Sequence, residues 1–488
     1  MSTSNQQSNV IERMGDRLAD YVERYFPSPF LFAILLTYIA YVGALAIEGS
    51  GVFETVIFWY DGFWLFLTFS MQMVLILMTG FVLAYHPRVN DILVRLAQLP
   101  NDGKQAVALV AFVAMVLAWI HWGLGLIIGA IFAREMGKSM YEDGINVHYP
   151  VLCVAGYMGL GLTWHWGLSG SAPLMIATPG NEFIEEGILD AVVPTSQTIF
   201  STYALALTVL SIAFAVAVLY LMAPRGEDTR DITEYVPEDE LFETATDGGE
   251  DVDSDPEAAD AAEADDEAPL SDDEEMVPAE KIDNSRILGG IIALTGVAVS
   301  VYFFATQGLD ALTLNLVNFT FLMAGLAIYT RPAVYREKFG EAASAAAPII
   351  LLFPFFAGIQ GIMNFSGLSD TIAEALFAIS TPETFPVIAW ITAGIVNLFV
   401  PSGGGEWIVL GPSVIEAAQA HGIEVGHATI AYAVGDAHTN LLNPFWALPL
   451  LAITRISARE MFGYAIAMLL ILIPFLAIVL TFVPYGTL

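Results

Sequence analysis

The chain has 488 residues, of which 56% are hydrophobic and 14% are charged, and its 17 Lys and Arg against 52 Asp and Glu give a net charge of −35. An ordinary soluble domain is about 25% charged, so this composition excludes one globular core under a charged surface. The absence of a basic patch argues against nucleic acid as a partner. The single cysteine, Cys153, leaves no disulfide framework or thiolate metal cluster.

The N-terminal segment, residues 1–29, is polar and lacks the short apolar core of a signal peptide. Within it, Val10, Met14 and Leu18 recur at helical spacing opposite Arg and Glu side chains. This pattern predicts an amphipathic helix that lies on the cytoplasmic face of a membrane.

Long apolar runs dominate the rest of the chain, and a bilayer-spanning helix needs about 20 such residues. The runs cover 30–47, 63–84, 105–133, 149–181, 199–222, 287–306, 311–330, 345–365, 384–417, 428–453 and 462–483. Three of them, 105–133, 149–181 and 384–417, are too long for one upright helix and are interrupted by Gly or Pro. The run 428–453 has an ordinary length but is equally polar at its centre.

The basic residues indicate how these runs cross the membrane. If every run crossed once, Arg134 and Lys138 would lie outside, against the tendency of Lys and Arg to stay in the cytoplasm. If 105–135 and 384–417 are instead re-entrant hairpins, the chain crosses about nine times and every Lys and Arg lies on one side. The fold expected is therefore an all-α polytopic protein of the cell membrane, with its N-terminus cytoplasmic and its C-terminus outside.

The same assignment reveals an internal repeat. Residues 63–222 run as helix, hairpin, broken helix and helix, and residues 345–483 repeat that order from the opposite side of the membrane. Both opening helices carry a glutamine in an apolar setting, Gln72 and Gln360. Inverted-topology repeats with interrupted helices are typical of secondary transporters, whose sites lie near the bilayer midplane.

An acidic segment, 226–285, separates the first membrane half, 30–225, from the second, 286–488. It holds 25 acidic and two basic residues, with many Ala, Pro, Ser and Gly. Such a composition predicts a disordered cytoplasmic linker. Its role is either that of a regulatory tail or that of a charge-rich connector in an acid-rich proteome.

The predicted hairpin tips carry the first candidate site. One hairpin turns at His121, and the other turns just after Pro401. Consecutive glycines leave backbone amides open to a ligand, and the N-terminus of a half-helix favours an anion. The alternative is a close helix crossing that needs small residues. The substrate-binding candidates of the second tip are Ser402, Gly403, Gly404 and Gly405.

The two broken crossings carry the second candidate site. Each contains a proline that removes a helical hydrogen bond, at Pro173 and Pro444, and each places hydroxyl, amide or imidazole groups just before that proline. Hydroxyls and amides can hold a carboxylate, and freed carbonyls can coordinate Na⁺ as a coupling ion. The substrate-binding candidates here are Ser169, Gly170, Ser171, Asn440 and Asn443.

Ionisable residues within membrane segments are candidates for ion coupling. Asp436 can carry a proton or bind Na⁺, and Glu406 either has a similar role or faces the outer water. His121 and His438 are further candidates, each as a proton-linked group or a hydrogen-bonding core residue. Together with His165 they lack the spacing of a metal site, so neither a metal nor a cofactor is expected.

Five ordered motifs resemble the short-chain fatty acid transporter family from Phe26 to Val483, the acidic linker excepted. They are WYDGFWLFLTFSMQMVLILMTG, GLSGSAPLMIATPGN, FPFFAGIQGIM, VPSGGGEWIVLGPSVIEAAQ and NPFWALPLLAI. The resemblance implies uptake of acetoacetate and butyrate. It also implies an inverted-repeat carrier in which a substrate domain moves past a scaffold as an elevator, often within a homodimer.

The function expected is thus secondary active import of a short monocarboxylate by H⁺ or Na⁺ symport. No Lys or Arg lies within an apolar run, which suits one carboxylate better than two or three. The alternatives are a di- or tricarboxylate carrier, an anion channel and a membrane-embedded hydrolase. An enzyme is not expected, because no histidine stands at a recognisable spacing from a nucleophile such as Ser402. The sequence has no GxxxxGK[ST] loop, so ATP-driven transport is not expected either.

Overall fold

A computed structural model describes residues 29–486 except 66, 225–228, 239–240, 242–276, 399–400 and 444–445. The predicted N-terminal amphipathic helix and most of the acidic linker lie outside these residues. All regular secondary structure in the described part is helical, which confirms the all-α prediction.

The helices are numbered here in chain order. They are α1 (Pro29–Ala46), α2 (Val52–Gly62), α3 (Leu67–Ala84), α4 (Pro87–Ala97), α5 (Gly103–Ile120), α6 (Trp122–Glu142), α7 (Tyr149–Met158), α8 (Ser171–Ala177), α9 (Glu182–Glu185), α10 (Thr202–Met222), α11 (Pro278–Asp283), α12 (Arg286–Gln307), α13 (Leu314–Tyr329), α14 (Pro332–Ser366), α15 (Leu368–Phe377), α16 (Phe385–Asn397), α17 (Gly403–Ala420), α18 (Val425–Thr439), α19 (Leu448–Thr454) and α20 (Ala458–Phe482).

Helices α5 and α6 form the first predicted hairpin. They are separated by one residue and pack along each other so closely that a Cβ on Gly125 would lie 2.6 Å from the Ala118 methyl group. The first residue of α5 lies next to the residues that follow α6, since a Cβ on Gly103 would lie 3.1 Å from the Cα of Val147. The segment therefore begins and ends on the same side of the protein, as the distribution of basic residues predicts.

Helices α16 and α17 form the second hairpin. The ring of Phe385, at the start of α16, lies 5.8 Å from the ring of His421, which follows α17. Ser380, in the turn before α16, is within 2.9 Å of His421 through Oγ and Nε2. Both ends of this hairpin also lie together, so the second hairpin prediction is confirmed in the same way.

The helix ends and the loops contact one another in two groups. On one side, Arg134 donates to the carbonyl of Ile453 at 3.3 Å. On the other side, Tyr485 donates to the carbonyl of Gln197 at 2.7 Å.

The first hairpin opens toward the group that holds Arg134, because Tyr149, just after it, donates to the carbonyl of Thr454 at 2.9 Å. The second opens toward the other group, because a Cβ on Gly426, just after it, would collide with the carbonyl oxygen of Gln197. The repeats α3–α10 and α14–α20 therefore have the predicted opposite orientation.

Two packing units meet along one seam. In the scaffold unit, α14 packs against α1, α2 and α3, while α12 packs on α13 and α13 on α3. In the hairpin unit, α5, α6 and α7 pack together with α10 and α19, and α18 packs on α16, on α17 and on the turn that follows α7. Helix α8 packs on α17 in the same unit. The seam runs along α3 and α6, where a Cβ on Gly80 would lie 2.5 Å from the backbone carbon of Gly123. Glycine at both positions allows the two helices to touch.

Several elements differ from the sequence prediction. The segment between the first two predicted runs, 30–47 and 63–84, contains α2, and short helices α4 and α15 follow the two opening helices in matching positions. The predicted disordered linker is structured at both described ends, because Ile232 and Val236 are buried and α11 precedes α12. Averaging the composition over 60 residues concealed these few apolar side chains.

Four described helices are long and apolar enough to span a bilayer on their own: α5, α10, α12 joined with α11, and α20. Helix α5 is one arm of a hairpin, although its 18 residues are about 27 Å long, which is close to the length that a bilayer-spanning helix needs. Helices also occupy the other predicted runs, but the number of crossings stays a prediction, since length and composition alone do not count them.

Candidate functional site

The two hairpin tips share one backbone geometry. His121 has φ −155° and ψ 111°, and Ser402 has φ −150° and ψ 102°. Each caps the second arm of its hairpin: His121 Nδ1 accepts from the N–H of Leu124 at 3.0 Å, and Ser402 Oγ accepts from the N–H of Gly405 at 3.3 Å. Two different side chains thus satisfy the same orphan donor, three residues further along the chain.

The first broken helix is α7 with its continuation. After Met158 the chain forms a π turn over Gly159–Thr163 and a 3₁₀ turn over Trp164–Trp166, and the helix resumes at Ser171. Such turns mark interruptions of the regular hydrogen-bond ladder and often occur at functional sites. In this interruption, Ser169 Oγ accepts from the N–H of Trp122 at 2.9 Å. The predicted substrate residue Ser169 therefore fastens the break to the first hairpin tip.

The second broken helix is α18 with α19, and Asn440 stands where α18 ends. The Asn440 side chain donates to the carbonyl of Leu160 at 3.1 Å and accepts from Asn397 at 3.1 Å. Its backbone carbonyl accepts from Tyr157 at 3.1 Å, and the carbonyl of Asn443 lies 3.5 Å from the same hydroxyl. Asn440 thus joins both broken helices to the second hairpin.

The tips and breaks enclose a small cavity against the scaffold unit. Its volume of about 10 Å³ is roughly the space needed for one water molecule. The predicted residues Ser171, Ser402 and Gly403 line it, and α3 contributes Met73 from the scaffold. The other lining residues are Trp122, Leu160, Trp164 and Trp446. The structure therefore brings residues at or next to both tips and both breaks together around this cavity.

Two of the tryptophans around the cavity have unused donors. The indole N–H groups of Trp122 and Trp164 are buried and have no hydrogen-bond partner among the described residues. Trp446 differs, since it donates to the carbonyl of Pro401 at 2.9 Å. A buried donor without a partner is costly, so these indoles are candidates to meet an acceptor that enters the cavity. No basic residue lines it.

A buried ionisable cluster lies behind the cavity wall. His165 Nδ1 and Asp436 Oδ2 are 2.6 Å apart, and the side chains are 0% and 1% exposed. The N–H of Ala172 donates to His165 Nε2 at 3.2 Å, and Ser171 Oγ lies 3.2 Å from the same atom. Because a backbone N–H can only donate, Nε2 accepts, and in the neutral ring the proton is assigned to Nδ1, facing Asp436.

Glu406 completes this cluster. It is 0% exposed, lies within electrostatic reach of Asp436 and Tyr432, and neither of its carboxyl oxygens has a hydrogen-bond partner of good geometry among the described residues. Tyr432 donates to the carbonyl of Gly403, at the hairpin tip, at 3.0 Å. The alternative in which Glu406 faces the outer water is wrong, because the side chain is enclosed by protein.

The other predicted coupling residues lie elsewhere. His438 Nε2 is 2.9 Å from the carbonyl of Leu469 on α20, and its ring stacks on Trp390 at 5.6 Å. The ring of His121 lies 4.0 Å from Phe321 on the scaffold helix α13. The structure therefore does not bring these two histidines to the cluster, and Gly404 and Gly405 form the buried first turn of α17 beside it.

His165 is the site residue that the sequence analysis left without a role. A signal for it exists: His165 stands eight residues before Pro173, and Asp436 stands eight residues before Pro444. The same alignment matches Ser169 with Asn440, and both of these side chains fasten a broken helix. Comparing the two breaks position by position would have paired the imidazole with the carboxylate.

Comparison with known proteins identifies the family. The family model described as "Short chain fatty acid transporter" matches residues 10–483. The chain is 37% identical over 461 residues to a "Putative short-chain fatty acid transporter" of Escherichia coli strain K12, covering 94% of this chain and 97% of that protein. It is 32% identical over 478 residues to a protein of the same name from Haemophilus influenzae, covering 97% and 100%.

Two solved structures resemble the fold at low sequence identity. The first is the Neisseria gonorrhoeae antimetabolite efflux pump MtrF, with a TM-score of 0.49, 16% identity and coverage of 96% of this chain and 99% of that one. The second is the Alcanivorax borkumensis YdaH transporter of unusual topology, with a TM-score of 0.46, 17% identity and coverage of 95% of this chain and 98% of that one. The nearly full-length match to the family model and to both relatives shows that this membrane protein belongs to the short chain fatty acid transporter family.

Proposed function

We propose that the protein carries one short-chain monocarboxylate, such as butyrate or acetoacetate, across the cell membrane together with a proton. One observation carries the proposal. A small cavity, whose lining residues include two serines and two tryptophans with unpartnered indole N–H groups, lies next to the buried cluster of His165, Asp436 and Glu406. Donors for an anion and a group able to exchange protons are thus adjacent.

The lining suits a single carboxylate. Ser171, Ser402, Trp122 and Trp164 offer up to four neutral donors, two of which have no other partner. Neutral donors can satisfy one carboxylate, but a di- or tricarboxylate would bring further charges into a place without a Lys or Arg. The cavity has space for about one water molecule, so Met73 and the aromatic rings would have to move apart to form an apolar wall for a short alkyl chain. The remaining predicted binding residues act by positioning the tips and the breaks.

The cluster suits proton coupling. Asp436 and Glu406 lie close together in the protein interior, and one imidazole is their nearest possible cation. If both carboxyls were ionised, an uncompensated negative charge would lie beside the incoming carboxylate, which is costly in a low-dielectric interior. A proton on the pair removes that repulsion. Substrate and proton therefore bind better together than separately, which is the thermodynamic requirement for symport.

The two packing units suggest how the site gains access to each side. Met73 belongs to the scaffold unit, whereas every other lining residue of the cavity belongs to the hairpin unit. Sliding the hairpin unit along the α3–α6 seam would carry most of the site with it, as in an elevator. A homodimer that holds two scaffold units in place would suit such a movement.

Uptake by purified protein in liposomes tests the proposal. We expect labelled butyrate to accumulate when the outside is acidic, to be displaced by acetoacetate, and to be unaffected by succinate or citrate. D436N and E406Q should abolish accumulation driven by a pH gradient, whereas D190N, the same change in an exposed outer-loop residue, should leave it intact.

Three results would contradict it. Accumulation driven by a Na⁺ gradient and unchanged in D436N would replace the proton by Na⁺. Displacement by succinate or citrate would favour the di- or tricarboxylate alternative. Unitary currents without uphill accumulation would indicate an anion channel.

A further inference from the structure

A second, much larger cavity lies between the same two packing units. It has a volume of about 500 Å³ and lies between α3 and α14 of the scaffold unit and α6 and α19 of the hairpin unit. Its walls include the apolar side chains of Phe81, Ile127 and Leu448. Its charged lining residues are Arg134, Arg455 and Glu341. We call this space the basic cleft.

The basic cleft continues the walls of the small cavity. Three elements line both spaces, and along each element the cleft residue follows the cavity residue by a few positions: Met73 and Phe81 on α3, Trp122 and Ile127 on α6, and Trp446 and Leu448 at the start of α19. On a helix, eight residues correspond to about 12 Å and five to about 7.5 Å. The cleft therefore begins roughly 10 Å from the small cavity and extends to the base-rich side, where Lys and Arg indicate the cytoplasm.

The charge in the cleft is positive, although the chain as a whole carries −35. Two guanidinium groups and one carboxylate, Glu341, are among the lining residues, so the lining has a net charge of +1. Glu341 also forms an ion pair with Lys338, on the same helix. Arg134 is held in place by its donation to the carbonyl of Ile453 at 3.3 Å. A cleft with low-dielectric walls focuses such a charge and raises the local concentration of anions.

The backbone at Arg455 points to a role for its side chain. Arg455 ends α19 with φ 60° and ψ 6°, in the left-handed region where glycine is the usual residue. It is one of two non-glycine residues with positive φ in the described part of the chain. An arginine stands here at a conformational cost that a glycine would avoid.

From these observations we infer that the basic cleft is a second binding site, of low affinity, for a short monocarboxylate on its way between the small cavity and the cytoplasm. The net charge of +1 matches one carboxylate, and the apolar walls match a short alkyl chain. The identity of the ligand rests on the proposed function. The positive potential of the cleft does not depend on the proposed function, so an experiment can contradict one of them and leave the other in place.

A cysteine placed in the cleft measures both the potential and the binding. Ala452 lines the cleft and is exposed, while the single native cysteine, Cys153, is fully buried. In A452C, the rates of modification by an anionic and by a cationic methanethiosulfonate reagent report the local potential. The variant R455G removes the charge but keeps the left-handed backbone at no cost, so it is expected to fold.

The ratio compared is the rate at which the anionic reagent modifies A452C divided by the rate for the cationic reagent. We expect R455G to lower this ratio about fivefold at low ionic strength, as estimated for one charge at about 8 Å in a water-like dielectric. R455K, which keeps the charge, and R459Q, which removes a basic residue outside the cleft lining, should leave the ratio within about twofold of its starting value. Millimolar butyrate should slow the modification of A452C, and R455G should weaken this protection.

Two results would overturn the inference. An unchanged ratio in R455G would show that Arg455 does not set the potential of the cleft. A changed ratio without protection by butyrate, up to tens of millimolar, would show a positive cleft that does not bind the carboxylate. Absence of butyrate uptake by the unmodified protein, with the protection retained, would contradict the proposed function while leaving the site in place.

Discussion

Replacing Gly403 by alanine tests the contact between the second hairpin tip and the first broken helix. A Cβ at this position would lie 2.6 Å from Trp164 Cη2, 2.6 Å from His165 Cε1 and 2.9 Å from His165 Nε2. Ordinary contacts of a methyl group begin near 3.4 Å. The methyl group therefore needs a shift of most of an ångström by one of the two rings or by the tip.

The rings have little freedom to shift. Trp164 stacks on His165 with their centroids 4.4 Å apart and their planes 8° from parallel, and His165 is fixed by Asp436 at 2.6 Å. Extra methyl groups in well-packed interiors cost about 1–3 kcal/mol. Taking about 2 kcal/mol, the closed arrangement of tip and break becomes roughly 30-fold less populated.

The assay is the initial rate of butyrate uptake by purified protein in liposomes, with thermal unfolding measured on the same sample. We expect uptake by G403A to fall about 30-fold while the protein still inserts and remains monodisperse. The matched control is G290A, on α12, where an added Cβ would meet nothing within 4 Å. Normal uptake by a folded G403A protein would refute the reasoning, because the tip would then not need to reach His165.

Three further predictions concern the tip, the short helix α9 and a helix crossing. S402A should weaken butyrate binding, measured by uptake, and lower the free energy of unfolding by about 1 kcal/mol, since the cap on the N–H of Gly405 is lost. S402T, which keeps a hydroxyl, should restore part of the uptake and part of the thermal stability. Burial and the neighbouring acids raise the pKa of Glu182, at the start of α9, from 4.5 to about 7. The folded protein therefore binds more protons than the unfolded chain between these values and loses stability as the pH rises through them. E182Q should flatten the decrease in melting temperature from pH 5 to pH 8, and an unchanged decrease would contradict this cause. G129L should prevent folding, measured as loss of monodisperse protein, because a side chain there would collide with the backbone carbonyl of Gly156; a folded variant would show that α6 and α7 can separate.

The topology could be predicted from the sequence because it depends on composition. Spanning runs need length and hydrophobicity, and the few basic residues, including Arg134, must share one side, which is satisfied when two runs turn back as hairpins. The short helices α2, α4 and α15 were not predicted. They lie in segments whose helical pattern depends on contacts with neighbours, as α2 shows by packing along α14.

The site could be predicted only in part. Ser171, Ser402, Gly403, Asp436 and Glu406 were chosen because polar groups next to glycine and proline stand out in an apolar run, and all five line the cavity or the cluster. The position of a histidine cannot be read in this way. His165 pairs with Asp436, while His121 caps a helix and His438 contacts a carbonyl. Only the matching positions of His165 and Asp436 before the two prolines would have separated the first from the other two.

The small volume of the central cavity has a consequence for bioenergetics. A space for about one water molecule cannot hold a continuous chain of waters, and such a chain is what carries protons across a membrane without a carrier. We therefore expect the central cavity, in the arrangement described here, to offer protons no continuous path of waters between the two faces. If the protein rests in this arrangement while substrate is scarce, its resting copies would not drain a proton gradient through this cavity.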